Sequence, residues 1–345
     1  MRGDRRLTLA APPPDPFGEH RRATWCERLQ LLGGQFDFET DSPALLRIVR
    51  AAYARLPAHR FAGVPPRFRV KLVLTPTSRL HAAARFTGEP LPVRPLAGQG
   101  ILCGAMDRAN FVALTPQQHA ALIVVARELL RHSYHIRYEL LEFAVYVLAA
   151  RVQRLVPLHA ACLGRGGQGL LLMGPSGSGK STVVLHGLLS GLDFLAEDSV
   201  LVQPRGLLAT GVANFAHVRR DSLRFLAGAE RAAVVRTSAR IRRRSGVEKL
   251  EIDLRRPRYR LAAAPLRIRA LVFISRRSVG SRPLLVPLRA PVVLERLAAG
   301  QRYAANQPGW SAFRRRIARV PGYELRRGTH PRAAVEALRE LLPDS

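Results

Sequence analysis

Nine residues, Gly174-Pro175-Ser176-Gly177-Ser178-Gly179-Lys180-Ser181-Thr182, constrain this chain more than any other stretch. Glycine at every second or third position favours a turn over helix or strand. The apolar run Gly169 to Met173 before it reads as a strand and Thr182 to Leu189 after it as a helix, so the segment fits G-x-x-x-x-G-K-[ST] in its strand–loop–helix setting. Backbone N–H groups of such a loop form an anion nest at the helix N-terminus. Lys180 then neutralises the outer phosphates and the Ser181 hydroxyl ligates Mg²⁺. The implied ligands are ATP and Mg²⁺, held by residues 174 to 182. Composition sharpens the match, because only three of the 55 basic residues are lysines: Lys71, Lys180 and Lys249.

The remaining numbers bound the class. A chain of 345 residues, 47% of them apolar, is long enough for two domains. They are expected at 21–155 and 156–345, after a flexible leader at 1–20 that carries Pro12-Pro13-Pro14. Three scattered cysteines, Cys26, Cys103 and Cys162, make neither a disulfide framework nor a thiolate zinc site, which points to a reducing, cytoplasmic compartment. The longest apolar run, Leu140 to Ala150, is broken by Glu142 and falls short of the ~20 residues of a membrane span, so a core helix is expected and no transmembrane segment. A net charge of +30, with clusters at Arg242 to Arg244, Arg255-Arg256 and Arg314 to Arg316, leaves two readings open. One is a compositional replacement of lysine by arginine along the whole chain, and the other an acidic or polyanionic partner met through an arginine-rich surface. Homo-oligomerisation is open as well.

Along the chain, Leu29 to Phe38 reads as a strand bent at Gly33-Gly34. Ser42 caps a helix that starts at Pro43 and runs to Leu56. Arg67 to Leu74 alternates as a strand, and Thr75 to Gly104 carries no periodicity to assign. Helical spacing is read over Pro116 to Arg131 and Ile136 to Arg154. From Pro157 the pattern becomes a strand Leu158 to Leu163, a glycine turn, the loop strand, the helix, and a strand Phe194 to Asp198 ending in two carboxylates. Further strands are expected at 200–202, 207–208, 250–254 and 270–275, and helices at 292–299 and 331–342.

Phosphoryl transfer needs a metal, a cation on the phosphates and a group that takes the acceptor's proton. Ser181 and Lys180 meet the first two needs. Asp198, seventeen residues after Ser181, is the candidate for the third and a metal-side carboxylate. A strand regular to its end would turn Glu197 and Asp198 to opposite faces, so that one of them aims at the phosphates. That strand is expected beside the loop strand. His159 falls on a strand expected to pair with the one feeding the loop, and alone it is as compatible with a core histidine.

His159-Ala160, Gly174 to Ser181 and Ala196-Glu197-Asp198 together resemble the catalytic domain of the HPr kinase/phosphorylase family. The wider segment 156–342, with Glu248 to Leu254, Val272 to Ile274 and a closing helix module at Pro321 to Leu325, is similar to bacterial HPr-kinase-related proteins. The resemblance implies an α/β P-loop kinase domain of the HPr kinase/phosphoenolpyruvate carboxykinase type; residues 21–155 do not resemble that family's N-terminal domain and are read from their own pattern as a smaller α+β domain. It implies an ATP-dependent kinase that phosphorylates a hydroxyl, serine on a small protein or peptide. In it Asp198 takes the proton, His159 positions that acid, Lys180 stabilises the transferring group, and Ser181 with Asp198 holds the metal. Glu197 stands where the family has aspartate, Thr182 where it has glutamate, and its Glu-x-Arg-Gly segment has no match near Asn214 to Arg224. These departures put phosphorolysis in doubt and leave the family's arginine unassigned. Two rivals stay open: an ATP-binding switch or scaffold that transfers nothing, and a nucleic-acid-stimulated ATPase.

Overall fold

The computed structural model describes residues 23–76, 90–244, 246–279 and 283–343. The leader expected at 1–20 and part of the unassigned 75–104 region lie outside these. Strands β1 (Trp25–Leu31) and β2 (Gly34–Thr40) form a hairpin closed by Leu32 and Gly33, at φ 51° and 86°. Two central residues at positive φ match the right-handed twist of the paired strands. Helix α1 (Pro43–Tyr53) begins as its residues dictate, with Ser42 Oγ accepting from the Leu45 N–H and Pro43 in the first turn. It crosses to β3 (Arg67–Thr75), which lies parallel to β2. With β4 (Arg94–Gly98), β5 (Ile101–Ala105), β6 (Phe111–Thr115) and β7 (Ala120–Ala126) it completes a seven-stranded sheet ordered β1-β2-β3-β7-β6-β5-β4.

The helix expected over Pro116 to Arg131 does not form. The chain makes one 3₁₀ turn at Pro116–Gln118, passes His119 at φ 54° and continues as β7, a central strand parallel to β3. Ala121, Ile123 and Val125 bury one face of it. A run of branched apolar side chains suits a strand covered by neighbours on both edges, and helical spacing within it is accidental. The next helix forms as expected, entering through a π-helical turn at Ile136–Leu141 and continuing as α2 (Glu142–Gln153). It packs Leu140, Leu141, Val145 and Leu148 into the core that holds Phe36, Phe38 and Phe68.

The second half carries β8 (Val156–Leu158), β9 (Ala161–Arg165), β10 (Gln168–Met173), α3 (Lys180–Leu189), β11 (Asp193–Ala196), β12 (Val200–Gln203) and β13 (Leu208–Thr210). A side sheet follows: β14 (Phe215–Val218), α4 (Gly228–Thr237), β15 (Ala239–Arg242) and β16 (Glu248–Asp253), with strands ordered β14-β16-β15. Then come β17 (Leu266–Ser278), β18 (Leu285–Leu288), α5 (Ala290–Gly300), α6 (Trp310–Ile317), β19 (Gly322–Arg327) and α7 (Pro331–Arg339). The main sheet runs β11-β9-β10-β17-β13-β12-β8, with β19 on β17 and β18 on β19. Apolar residues of α3 and α7 cover one face, and those of α5 and α6 the other. The chain is therefore mixed α/β.

Three expectations about this half are corrected. The strand after α3 pairs antiparallel with β9 and so lies one place removed from β10, whose parallel neighbour is β17. The single strand expected over Leu158 to Leu163 is two strands: β8 pairs with β12 and β9 with β10, and the chain changes partners at His159-Ala160. Pro321 to Leu325, expected within a closing helical module, is largely strand β19, parallel to β17, before α7 begins. These rearrangements set the ends of β10 and β17 side by side at the edge where the phosphate loop leaves, the edge at which open α/β sheets bind ligands.

Candidate active site

The loop between β10 and α3 has the backbone its glycines were expected to give. A Cβ on Gly174 would lie 2.6 Å from Ser178 Oγ and 2.9 Å from Ile274 O, so no side chain fits where the loop leaves the sheet. Gly179, the N-cap of α3, sits at φ +99° and leaves that end of the helix without a side-chain cap. The amides of the first helical turn have no partner within the helix, which leaves them to an anion. The turn is closed by the Ser178 N–H donating to Pro175 O at 3.1 Å, and the Arg276 guanidinium binds Ser176 O from β17. Ser178 Oγ is buried with no partner at the base of the loop. Thr182 Oγ1 faces away from the loop mouth and shares a 2.8 Å hydrogen bond with Ser222.

Lys180 Nζ donates to Asp198 Oδ1 at 2.8 Å and to the Glu197 carbonyl at 3.2 Å. His159 Nδ1 lies 3.4 Å from the same Asp198 oxygen, and Arg243 Nη1 3.7 Å from the other one. Burial alone would raise the Asp198 pKa, but the Lys180 charge and hydrogen bond, then His159 and Arg243, outweigh it and hold the carboxyl at about 2. Three sequence candidates from separate segments, His159, Lys180 and Asp198, thus converge on one point. His159 is there because the strand changes partners at that residue. Its backbone N–H and carbonyl are both held by the Gln301 amide, at 2.8 and 3.0 Å, while its ring, 60% exposed, meets Asp198 at the surface.

The expectation that Glu197 and Asp198 face opposite ways is corrected. β11 stops at Ala196, so the two acids sit on a bend and alternation no longer governs them. Ser181 Oγ donates to Glu197 Oε1 at 2.5 Å, whereas Asp198 binds Lys180. The carboxylate beside Ser181 is therefore Glu197, and both acids address the loop.

Behind Glu197 lies a buried polar layer that the sequence reading missed. The His217 N–H donates to Glu197 Oε2 at 2.6 Å, the His217 ring lies between Glu197 and Glu251, and Arg137 Nη2 reaches both Glu251 oxygens at 3.1 and 2.8 Å. Burial alone would lower the His217 pKa, but the two carboxylates raise it; burial alone would raise Glu197 and Glu251, but their partners lower both. Arg137 also lies over the Tyr138 and Phe215 rings. Nearby, burial pushes the Glu142 carboxyl up to about 8, which keeps it largely protonated at neutral pH. Arg137 and Glu142 belong to the α2 helical segment, so the N-terminal half forms part of the floor. The available signal was a charged residue between core residues in a strand, as in Leu250-Glu251-Ile252 and Ala216-His217-Val218. Lys249, near the start of β16, is half-buried, and burial together with Arg243 lowers its pKa.

Ser181 Oγ with the Glu197 and Asp198 carboxylates is a set of hard oxygen donors at the mouth of the glycine loop. Among the described residues no group of three or more His, Cys, Asp or Glu forms a metal cage. The donor set suits Mg²⁺, which takes one or two carboxylates plus substrate phosphates and water. Among the described residues no helix is long and apolar enough to cross a membrane. No protein-family model and no curated protein matches the chain.

Proposed function

We propose that this protein is an ATP-dependent kinase of the HPr-kinase-like P-loop type, transferring the γ-phosphoryl group to a hydroxyl, serine on a small protein or peptide. The observation that carries the reading is the meeting of Lys180 and His159 on one Asp198 oxygen, at 2.8 and 3.4 Å, beside the glycine loop that opens α3. Magnesium, when bound through Ser181 and the acidic pair, would neutralise and orient the terminal phosphates. Among the described residues Lys180 Nζ has two protein acceptors, and phosphate oxygens on the loop compete for it, which frees Asp198 toward the acceptor. The carboxylate that Lys180 holds sits at about 2, ionised at every physiological pH, and becomes more basic when the phosphates take Lys180 from it. It orients the acceptor hydroxyl in the ground state and takes its proton late, as bonding to phosphorus acidifies it. His159 keeps the carboxylate at the mouth, and the buried His217–Glu251–Arg137 layer fixes Glu197 under Ser181.

The test is transfer of label from ATP to candidate acceptors, with Asp198→Asn expected to slow turnover by about 10²–10⁴-fold while ATP still binds. Unchanged turnover in that variant removes Asp198 from the chemistry. Tight ATP binding with no acceptor labelled by the native protein would instead support the switch or scaffold reading, and hydrolysis stimulated by nucleic acid and suppressed by salt the ATPase reading.

A further inference from the structure

Two of the three lysines in a chain of arginines stand at one site: Lys180 on the loop, and Lys249, the second residue of β16. Strand alternation sets where Lys249 faces. Leu250 and Ile252 turn to the core shared with α3, so Lys249 shares the other face with Glu251, whose carboxylate meets the His217 ring and Arg137. Across the β15–β16 hairpin Lys249 pairs with Ile241, two residues before Arg243, and Arg243 Nη1 stands 3.7 Å from Asp198 Oδ2. Lys249 therefore belongs to the rim of the site.

It lies on the side away from the glycine loop. Lys180 meets Asp198 at Oδ1 and the β15–β16 turn meets it at Oδ2. Of the charges that act on Lys249, Arg243 comes first, then Glu197 and Asp198, and Lys180 last. From the N-terminal half Tyr134 comes to the same side, half-buried, its ring edge-on to His217 at 6.2 Å and its hydroxyl under the influence of Arg243. Asp198 itself is 45% exposed and so within reach of an acceptor. In-line displacement sets the attacking and leaving oxygens on opposite sides of phosphorus, which makes the side away from the loop the acceptor's side.

Among the described residues none gives Lys249 Nζ a hydrogen bond or an ion pair. The two acids near it have closer partners, Glu197 in Ser181 and His217, and Asp198 in Lys180 and His159. A half-buried ammonium with no acceptor is unfavourable, and burial with the Arg243 charge weakens its hold on its proton. An anion brought by a ligand would remove that cost. Lysine offers one compact charge, suited to a single carboxylate oxygen in a confined place, where a guanidinium would demand a planar, two-pronged partner.

Resting on the kinase reading above, we propose that Lys249 is an acceptor-binding residue whose ammonium holds an acidic side chain beside the hydroxyl to be phosphorylated. The protein then selects a serine with a carboxylate neighbour, and the charge-assisted bond helps to fix the hydroxyl at Asp198.

Serine peptides blocked at both ends, identical but for Asp, Asn or Lys beside the serine, test this with labelled ATP and Mg²⁺. The full chain is used as native protein, Lys249→Gln and Lys249→Glu, each checked for folding by thermal melting. The native protein is expected to label Asp peptides about 10-fold or more faster than Asn peptides at low peptide concentration. Lys249→Gln is expected to lose that preference and Lys249→Glu to turn it toward Lys peptides; if the charge reversal does not fold, the Gln variant decides alone. Equal labelling of Asp and Asn peptides by the native protein, or a preference that survives Lys249→Gln, overturns the proposal and leaves the kinase reading intact. A native protein that labels no peptide overturns the proposal together with the reading it rests on.

Discussion

Arginine–carboxylate pairs occur in two settings in this molecule, and the contrast separates arginines that shape the site from those that only cover the surface. On the first sheet, Arg28–Asp37, Arg50–Glu27 and Arg69–Glu39 join neighbouring elements at 2.6 to 2.9 Å with guanidinium groups in water, Arg69 being 70% exposed. Between the halves, Arg137–Glu251 has the same spacing, 2.8 Å, with Arg137 11% and Glu251 6% exposed. In water the attraction is screened and offset by lost side-chain entropy. In the interior, desolvation makes each partner depend on the other, and through His217 the pair sets the position of Glu197 under the phosphate loop. A net charge of +30 therefore says little by itself about partners, because equal charges do unequal work.

The sharpest way to break this comparison is to remove one buried partner. Arg137→Met leaves Glu251 facing only His217 and is expected to cost about 3–5 kcal/mol in urea unfolding. The double variant Arg137→Met/Glu251→Leu is expected to regain most of that, since an apolar pair of similar volume needs no desolvation. A single variant within about 1 kcal/mol of the native protein would show that the interior pair behaves like the surface ones.

The same contrast explains what was legible in the residues. Where a glycine turn, cap or alternation is a local requirement, the reading matches the structure: the strand, glycine loop and helix around Gly174 to Thr182, and the Ser42 cap. The approach of His159, Lys180 and Asp198 was expected from the spacing of three family landmarks taken together. Where partners come from distant segments the reading does not match. The run Ala120 to Ala126 offered helical spacing, and only the placement of β7 between β3 and β6 makes it a strand. The facing of Glu197 depended on β11 ending at Ala196, one residue before alternation would have turned it away. The polar layer was hidden because Arg137, His217 and Glu251 look like solvated charges until two halves of the chain cover them.

Three buried histidines sharpen the comparison through pH. His59 ties the N-terminal half to the main sheet, with Nε2 2.9 Å from Ala262 O and Nδ1 2.8 Å from Thr210 Oγ1. A carbonyl can only accept, so Nε2 carries the proton and Nδ1 accepts from the threonine hydroxyl. Burial lowers the His59 pKa despite that carbonyl, and burial with the nearby His330 and Arg332 charges holds His186 at about 4. The unfolded state thus binds more protons, and their stabilisation, complete above the ordinary value of about 6.5, is lost as pH falls. His217 has the opposite sign: its raised pKa gives stability that is complete below about 6.5 and lost as pH rises through the raised value. Glu142, protonated up to about 8 in the fold but ionised above about 4.3 when unfolded, adds a loss of stability as pH rises between those values, so in thermal melts from pH 5 to 9 the histidine contributions are read as differences between native protein and variant. His59→Gln should flatten the acid side and His217→Asn the alkaline side. Parallel alkaline losses in native protein and His217→Asn would mean that the two carboxylates do not hold a charged ring.

The smallest expected effect lies at the surface. Arg69 Nε lies 2.9 Å from both Glu39 oxygens across the parallel β2–β3 pair, a geometry as good as any in the interior. If geometry decided, Arg69→Ala would cost as much as the loss of Arg137. If exposure decides, it costs about 0.2–1 kcal/mol, and less again in high salt, since the Debye length shrinks from about 10 Å at 0.1 M to about 3 Å at 1 M. Urea unfolding of Arg69→Ala at low and high salt, set beside Arg137→Met, reads that difference directly. A surface loss approaching the interior one, and insensitive to salt, would mean that the arginines of the first sheet hold the fold as firmly as those beneath the phosphate loop.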